Sequence, residues 1–454
     1  MSVPKNSRRG FLKSSAAAAS ASLLAVPAVA RARASAAGRI RVGVVGIRGR
    51  GGGLIGSLQK LSGENVEVAA LCDVYENVLD SRAAECEKSS GKRPDTYVDY
   101  RRMLDDDSLD AVTIATPDHW HALQTIWACQ AGKDVYVEKV GAHNVTESRM
   151  MVDATRKYKR IVQHGTQARS SANVREGIRK LREGVIGEVY MARAIAFKYR
   201  AGGKSELGPV PKGLNWDLWQ GPAPAKPFDA LSFSPRWRFV KEYGNGQIGA
   251  QGVHQLDMIR WALELDKHPA MIQAMGGKYS RPTTEETHPT ELHVSYRFED
   301  PDVMVTFETR SGYANPEAGM GTTYPWINHR DLVGAIFLAA DGYMIIPDFS
   351  NYYTFLGREH EPGPSSKTVP PSIMNDGHVE NWIGAIRAGD PGRLTADVHE
   401  GHLSSSLCFL GNIACQTERT LRFNPAAERF IGDEDANRLL TRNYREPFTL
   451  PKEV

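Results

Sequence analysis

The apolar positions of this chain follow two patterns. Up to about residue 165, short solid apolar runs alternate with amphipathic stretches. Ile40, Val42, Val44 and Val45 make Arg39–Val45 a buried strand, and Val66–Asp73, Asp110–Pro117 and Lys133–Lys139 are three more, with a helix from about Trp120 to Ala131. Strands that alternate with helices predict a parallel sheet. Beyond that point the runs lengthen, as in Glu188–Tyr199, Leu292–Phe298 and Val303–Thr309. Leu292-His293-Val294-Ser295-Tyr296-Arg297-Phe298 alternates with period two, and Glu299-Asp300-Pro301-Asp302 then turns the chain, as a hairpin requires.

With 454 residues the chain exceeds what one core organises, and two domains are expected. Hydrophobic and charged contents of 41% and 24% are ordinary for a globular protein. The N-terminus differs from the rest. Ser7-Arg8-Arg9-Gly10-Phe11-Leu12-Lys13 precedes an Ala-rich apolar run from Ala16 to Ala30, with small-residue cleavage candidates near Ala30, Ala34 and Ala36. This predicts a twin-arginine export signal over 1–36, because the run is shorter than the roughly 20 residues of a membrane span. The mature protein is then expected in the periplasm or medium, without a membrane anchor.

Removing residues 1–34 takes away six basic groups (Lys5, Arg8, Arg9, Lys13, Arg31, Arg33) and no acidic one, leaving 50 basic against 53 acidic. The basic balance belongs to the leader, and no clustered basic face suggests a nucleic-acid partner. Cys72, Cys86, Cys129, Cys408 and Cys415 form no C-x-x-C pair and no zinc-like spacing. They are expected as buried thiols, with an oxidising compartment leaving room for one disulfide.

The first strand runs into Gly46-Ile47-Arg48-Gly49-Arg50-Gly51-Gly52-Gly53 and then a helical pattern. Strand, glycine turn and helix together predict a dinucleotide site, since bare backbone amides at a helix N-terminus receive a pyrophosphate. A solvated glycine turn is the alternative, and the further strands argue against it. Arg48 stands where the middle glycine of G-x-G-x-x-G belongs, so either Gly49 provides the close approach or the Arg48 side chain meets the cofactor. Asp73 ends the second strand, 27 positions after Gly46. A carboxylate there accepts from ribose hydroxyls and repels a 2′-phosphate, which favours NAD over NADP.

Four segments resemble the family of glucose–fructose oxidoreductase, inositol dehydrogenase and MocA. They are the glycine turn, Ala115-Thr116-Pro117-Asp118-His119-Trp120-His121, Val137-Glu138-Lys139-Val140, and Gly249-Ala250-Gln251-Gly252-Val253-His254-Gln255-Leu256-Asp257. Trp219-Gln220-Gly221-Pro222-Ala223-Pro224 and Asn381-Trp382-Ile383-Gly384-Ala385-Ile386-Arg387 add to the likeness. The resemblance implies an α/β protein with a Rossmann domain over 37–165. It further implies an α+β domain over 166–454, built on a large, open, mainly antiparallel sheet, with assembly as a dimer or tetramer.

Cofactor contacts are then expected from Gly46, Ile47, Arg48, Gly49, Arg50, Gly51, Asp73, Thr116, Pro117, His119, Trp120, His121, Glu138, Lys139 and Gln167. The chain departs from the family in two places. Val140 replaces the proline after the lysine, and Ala250 fills a slot where many relatives have an aspartate.

Removing hydride from a secondary alcohol needs an oriented carbinol and a group that takes the hydroxyl proton. Lys139, at a strand's C-terminal end where ligands of doubly wound folds gather, is the first candidate. His254 is expected as the main acid/base, and Asp257, one turn on, either orients His254 or pairs with Arg260. His119 and His121 flank Trp120 without a third ligand, so no metal is expected, and Trp120 is assigned to shield the nicotinamide. Trp216, Trp219 and Trp237 offer faces for a sugar ring or for packing.

The expected activity is NAD-dependent oxidation of a secondary hydroxyl in a sugar, cyclitol or glycoside. Export in the folded state suits a cofactor held through turnover. Redox-neutral glycoside cleavage or epimerisation through a 3-keto intermediate is the alternative, and a non-catalytic sugar-binding protein is a third reading.

Overall fold

The computed structural model describes residues 38–312, 331–369 and 375–454; the expected export segment lies outside them. Six strands, β1 (Ile40–Val45), β2 (Val66–Cys72), β3 (Asp95–Tyr97), β4 (Ala111–Ile114), β5 (Asp134–Glu138) and β6 (Val162–Gly165), form a parallel sheet. Their order is β3-β2-β1-β4-β5-β6, so the chain reverses direction across the sheet between β1 and β4. A crevice at the strands' C-terminal ends opens at such a reversal.

The second sheet has ten strands: β7 (Val189–Lys198), β8 (Met271–Gly277), β9 (Glu291–Glu299), β10 (Asp302–Arg310), β11 (Asp331–Ala339), β12 (Gly342–Ile346), β13 (Tyr353–Leu356), β14 (Glu361–Pro362), β15 (Leu421–Asn424) and β16 (Arg429–Phe430). Only β7 and β10 run parallel; the other neighbours are antiparallel. In β9 Leu292, Val294, Tyr296 and Phe298 are buried while His293 and Arg297 face out, as the period-two pattern requires. Val303 opposes Phe298 across the hairpin, and the turn between holds the cis Asp300–Pro301 bond.

Sequence order conceals one packing relation. The helix Asn375–Ala388, some two hundred residues past β6, returns to the first sheet. Its Val379, Trp382, Ile383 and Ile386 share one apolar cluster with Ile40, Val42, Val44, Leu54 and Leu58. All five cysteines are free thiols, four of them buried. No described helix is long and apolar enough to cross a membrane.

Candidate active site

A cleft of about 450 Å³ lies at the C-terminal ends of β1, β2 and β4, lined by Gly46, Arg48, Gly49, Arg50, Asp73, Thr116, Pro117 and Trp120 among others. Trp219, Phe233, Trp237 and Arg238 close it from the other side. Gly46 has φ +75°, and a Cβ on Gly51 would stand 2.0 Å from the Gly46 carbonyl oxygen, so only glycine permits this turn. The helix Gly49–Lys60 therefore begins against the cleft and aims its free amides there.

Nothing lies within 4 Å of a Cβ built on Gly49, whereas the Arg48 guanidinium crosses to the Phe233 ring at 4.9 Å. Both alternatives for this turn thus remain physically available: open backbone at Gly49 and a cationic side chain along the wall. The Ile47 and Tyr75 amides donate to the Asp73 carboxylate at 3.1 Å each, fixing it at the end of β2. Burial pushes the Asp73 carboxyl up, and these amides and Arg48 pull against that.

Beyond Thr116 and Pro117 lies a cluster of ionisable groups. Lys139 follows β5 directly, and its bond to Val140 is cis although no proline is present. Its Nζ donates to the Ala250 carbonyl at 2.7 Å. A backbone oxygen thus meets the lysine in the segment where relatives carry an aspartate. Desolvation, and then the Arg238 guanidinium, lower its pKa to about 8, against the pull of Asp118 and Glu138.

Ala250 belongs to a single π turn, Ile248–Gly252, that leads into the helix Val253–Ala262. Such turns often mark functional sites. His254, in the first turn of that helix, packs at 4.8 Å on Phe349, and its Nδ1 has no hydrogen-bond partner among the described residues. Burial, and then the charge of Lys139, push its pKa well below the ordinary value, so the imidazole is neutral at pH 7.

Several expected contacts take other roles. Asp257 does not orient His254: its carboxylate accepts from Arg169 Nε at 2.9 Å, from Arg169 Nη2 at 2.9 Å and from Ser404 Oγ at 2.7 Å. Burial opposes its charge, but Arg169 outweighs this and holds the carboxyl below its usual value. Glu138 is buried and accepts from Arg50 Nε at 2.7 Å and Gln167 Nε2 at 2.9 Å, so Gln167 and Glu138 brace the strand that ends at Lys139.

His119 points away from the cleft, with its two ring nitrogens against the carbonyls of Trp219 at 3.0 Å and Tyr243 at 3.3 Å. Burial lowers its pKa to about 3. His121 Nε2 contacts the Thr116 carbonyl at 2.7 Å and so braces the wall between cleft and lysine. The Ile47 side chain is buried in the core. Trp120 lines the cleft. Trp216 instead stacks on Trp219 at 4.5 Å, which leaves Trp219 and Trp237 as the expected tryptophans on the cleft wall.

Two participants were missed in the sequence. Asp118 opens the helix Asp118–Gln130, is buried, accepts from Asn245 Nδ2 at 3.3 Å, and has its pKa raised by desolvation to about 6 despite Lys139 and Arg238. Arg238 lies over the Trp237 ring at 4.3 Å, and the charges of Asp118 and Glu138 bear on it. Asp118 stands within the Thr-Pro motif and Arg238 beside a noted tryptophan, so proximity to the motifs was the available signal.

A six-stranded parallel sheet with a glycine turn and a terminal carboxylate, joined to a domain with an open, mainly antiparallel sheet, defines a two-part dinucleotide-binding enzyme. The description "Oxidoreductase family, NAD-binding Rossmann fold" matches residues 40–166, and "Oxidoreductase family, C-terminal alpha/beta domain" matches 175–306 and 375–450. The chain belongs to the Gfo/Idh/MocA oxidoreductase family.

A "Glycosyl hydrolase family 109 protein" of Shewanella putrefaciens (strain CN-32 / ATCC BAA-453) is 32% identical over 162 residues, a match spanning 34% of this chain and 34% of that protein. The WlbA dehydrogenase of Bordetella pertussis, solved with NADH and UDP-GlcNAcA, superposes with TM-score 0.62 at 17% identity over 85% of this chain and 99% of that one. A levoglucosan dehydrogenase solved with NADH and levoglucosan gives TM-score 0.62 at 18% identity, with the same coverage.

Proposed function

We propose that this chain is an exported NAD-dependent enzyme that oxidises a secondary hydroxyl of a sugar, cyclitol or glycoside and retains its nucleotide through turnover. The observation that carries this reading is the placement of Lys139. Its positive charge bears on His254 and helps keep that ring neutral, and the lysine follows the strand next to the Thr116–Pro117 wall of a cleft whose features suit a dinucleotide. The donors fit. Arg48 and Arg50 and the open helix start suit a pyrophosphate, Asp73 suits ribose hydroxyls and favours NAD over NADP, and Trp120 offers an apolar wall.

NAD, when bound, supplies the hydride acceptor. The protein's part is proton handling and positioning. Lys139 Nζ, already anchored on the Ala250 carbonyl, has donors left to hold the substrate oxygen. Neutral His254, with a free ring nitrogen, accepts the hydroxyl proton as the carbonyl forms. Asp118, its pKa raised to about 6, bears on Lys139 electrostatically and is a further buried group able to exchange a proton near neutrality. Arg238 keeps Lys139 acidic and closes the cleft.

The glycosyl hydrolase relative favours a second reading, in which the same oxidation would create a 3-keto group, the C2 proton and the aglycone would be eliminated, water would add at C1, and the ketone would be reduced back to the alcohol. Both readings suit a retained cofactor in the exported compartment that the leader predicts, and assembly as a dimer or tetramer is part of the proposal.

One experiment tests the proposal and its branches. Purified protein is denatured to quantify nicotinamide, then incubated with hexoses, cyclitols and aryl glycosides. A bound nucleotide near stoichiometry with ketone formation supports the oxidoreductase, and phenol release without lasting absorbance at 340 nm supports cleavage. Protein with less than about a tenth of an equivalent, which also fails to take up added NAD, overturns both.

A further inference from the structure

Outside the cleft, three potential ligands from distant parts of the chain converge. His268 precedes β8, His402 belongs to the helix Val398–Thr417, and Glu428 occupies the turn between β15 and β16 with φ +49°. Their ligand atoms all lie within 4.8 Å of one another. The histidine side chains are 2% and 0% exposed and the glutamate is 16% exposed, so the site is enclosed on the histidine side and open on the other.

The proton positions conflict. Ser148 Oγ donates to the Val145 carbonyl at 3.0 Å, so at 2.8 Å it accepts from His402 Nδ1. That assignment leaves His402 Nε2 as a bare lone pair, yet Nε2 stands 2.8 Å from Glu428 Oε1, acceptor against acceptor. Protonating Nε2 instead sets its N–H against Arg149 Nη2, a pure donor, at 2.9 Å. Either choice leaves one contact repulsive. His268 Nε2 meets the same glutamate oxygen at 2.9 Å, and its Nδ1 has no partner among the described residues.

A cation centred between the two Nε2 atoms and Oε1 resolves the conflict, because all three atoms then act as donors of lone pairs. We propose that His268, His402 and Glu428 bind a divalent transition metal of the zinc class, with the Arg149 guanidinium acting as a stand-in cation until metal displaces it. Two imidazoles and a carboxylate are borderline ligands that suit zinc. Ser148 supplies the outer hydrogen bond that fixes a metal-binding histidine. Arg149 now contacts Glu428 through Nε at 3.0 Å and through Nη2, and its side chain is 34% exposed, so it has solvent to swing into.

Displacing Arg149 opens a fourth position to water. The metal would pin the β15–β16 hairpin and β8 to the helix Val398–Thr417. His399, whose ring is 6.2 Å from His402, and Asp153, whose charge acts on Arg149, are the other ionisable groups facing the site.

The test uses full-length protein stripped with EDTA and titrated with zinc chloride or cobalt(II) chloride. One equivalent per chain, a visible cobalt ligand-field band and a raised melting temperature are expected. Ser148→Ala should weaken binding about 10–100-fold, and His402→Ala and Glu428→Gln should abolish the band. Arg149→Met separates this proposal from a plain salt-bridge network. It should tighten zinc binding, whereas a protein that binds no metal, or whose Arg149→Met variant binds it more weakly than wild type, overturns the proposal.

Discussion

Replacing Lys139 with methionine should abolish turnover and yet stabilise the protein at neutral pH. The folded lysine titrates near 8 rather than at its ordinary 10.5, because burial and Arg238 disfavour its charge. Between these two values the unfolded chain binds a proton that the folded chain does not, so stability rises with pH across this window and the cost is fully present below pH 8. A depression of that size corresponds to about 3 kcal/mol.

Partial solvent contact of the ammonium reduces the expected gain from Lys139→Met to about 1–3 kcal/mol at pH 7. For domains of this size that is roughly 2–10 °C in melting temperature. Asp118 loses a favourable neighbour in the variant, but its pKa near 6 means that it can take a proton at little cost. Urea melts of nucleotide-depleted wild type and variant at pH 7 and pH 10 measure the effect. The variant's advantage should shrink at the higher pH. An advantage that does not change with pH, or a loss of stability at pH 7, refutes the assignment of a strained ammonium.

Other expectations are as direct. Asp257→Asn leaves the buried Arg169 guanidinium with Glu400 as its one remaining carboxylate partner and should cost about 1–3 kcal/mol in urea melts, a stability effect rather than a selective loss of kcat. Gly51→Ala places a methyl against the Gly46 carbonyl, so nucleotide content after denaturation should fall to near zero while the C-terminal sheet persists by circular dichroism. Asp73→Ser removes the carboxylate proposed to accept from the ribose hydroxyls and should weaken NAD about 10–100-fold in fluorescence titrations, narrowing any preference over NADP.

The architecture was legible because patterning and turns are local. Period-two alternation set the faces of β9, and the strand–glycine–helix junction located the cleft. Partnerships were not legible, because they are made across the fold. Asp257 finds Arg169 from 88 residues away, and nothing around either residue announces it. The return of the helix Asn375–Ala388 to the first sheet was equally hidden, since its apolar face fits either core. His254 was read with an ordinary pKa, and only burial beside Lys139 shows that the ring stays neutral.

Pairing, more than residue type, separates scaffold from chemistry in this crevice. Glu138 and Asp257 are acids in the motifs, but each is committed to a guanidinium, Arg50 and Arg169 respectively, and stays ionised without capacity to exchange protons near neutrality. Lys139 and Asp118 influence one another but are not directly bonded, and each is held by a neutral partner, the Ala250 carbonyl or the Asn245 amide. Their pKa values therefore converge toward neutrality from opposite sides, to about 8 and about 6. Held by a neutral carbonyl and not by a carboxylate, Lys139 keeps a pKa of about 8 and can exchange its proton close to neutrality.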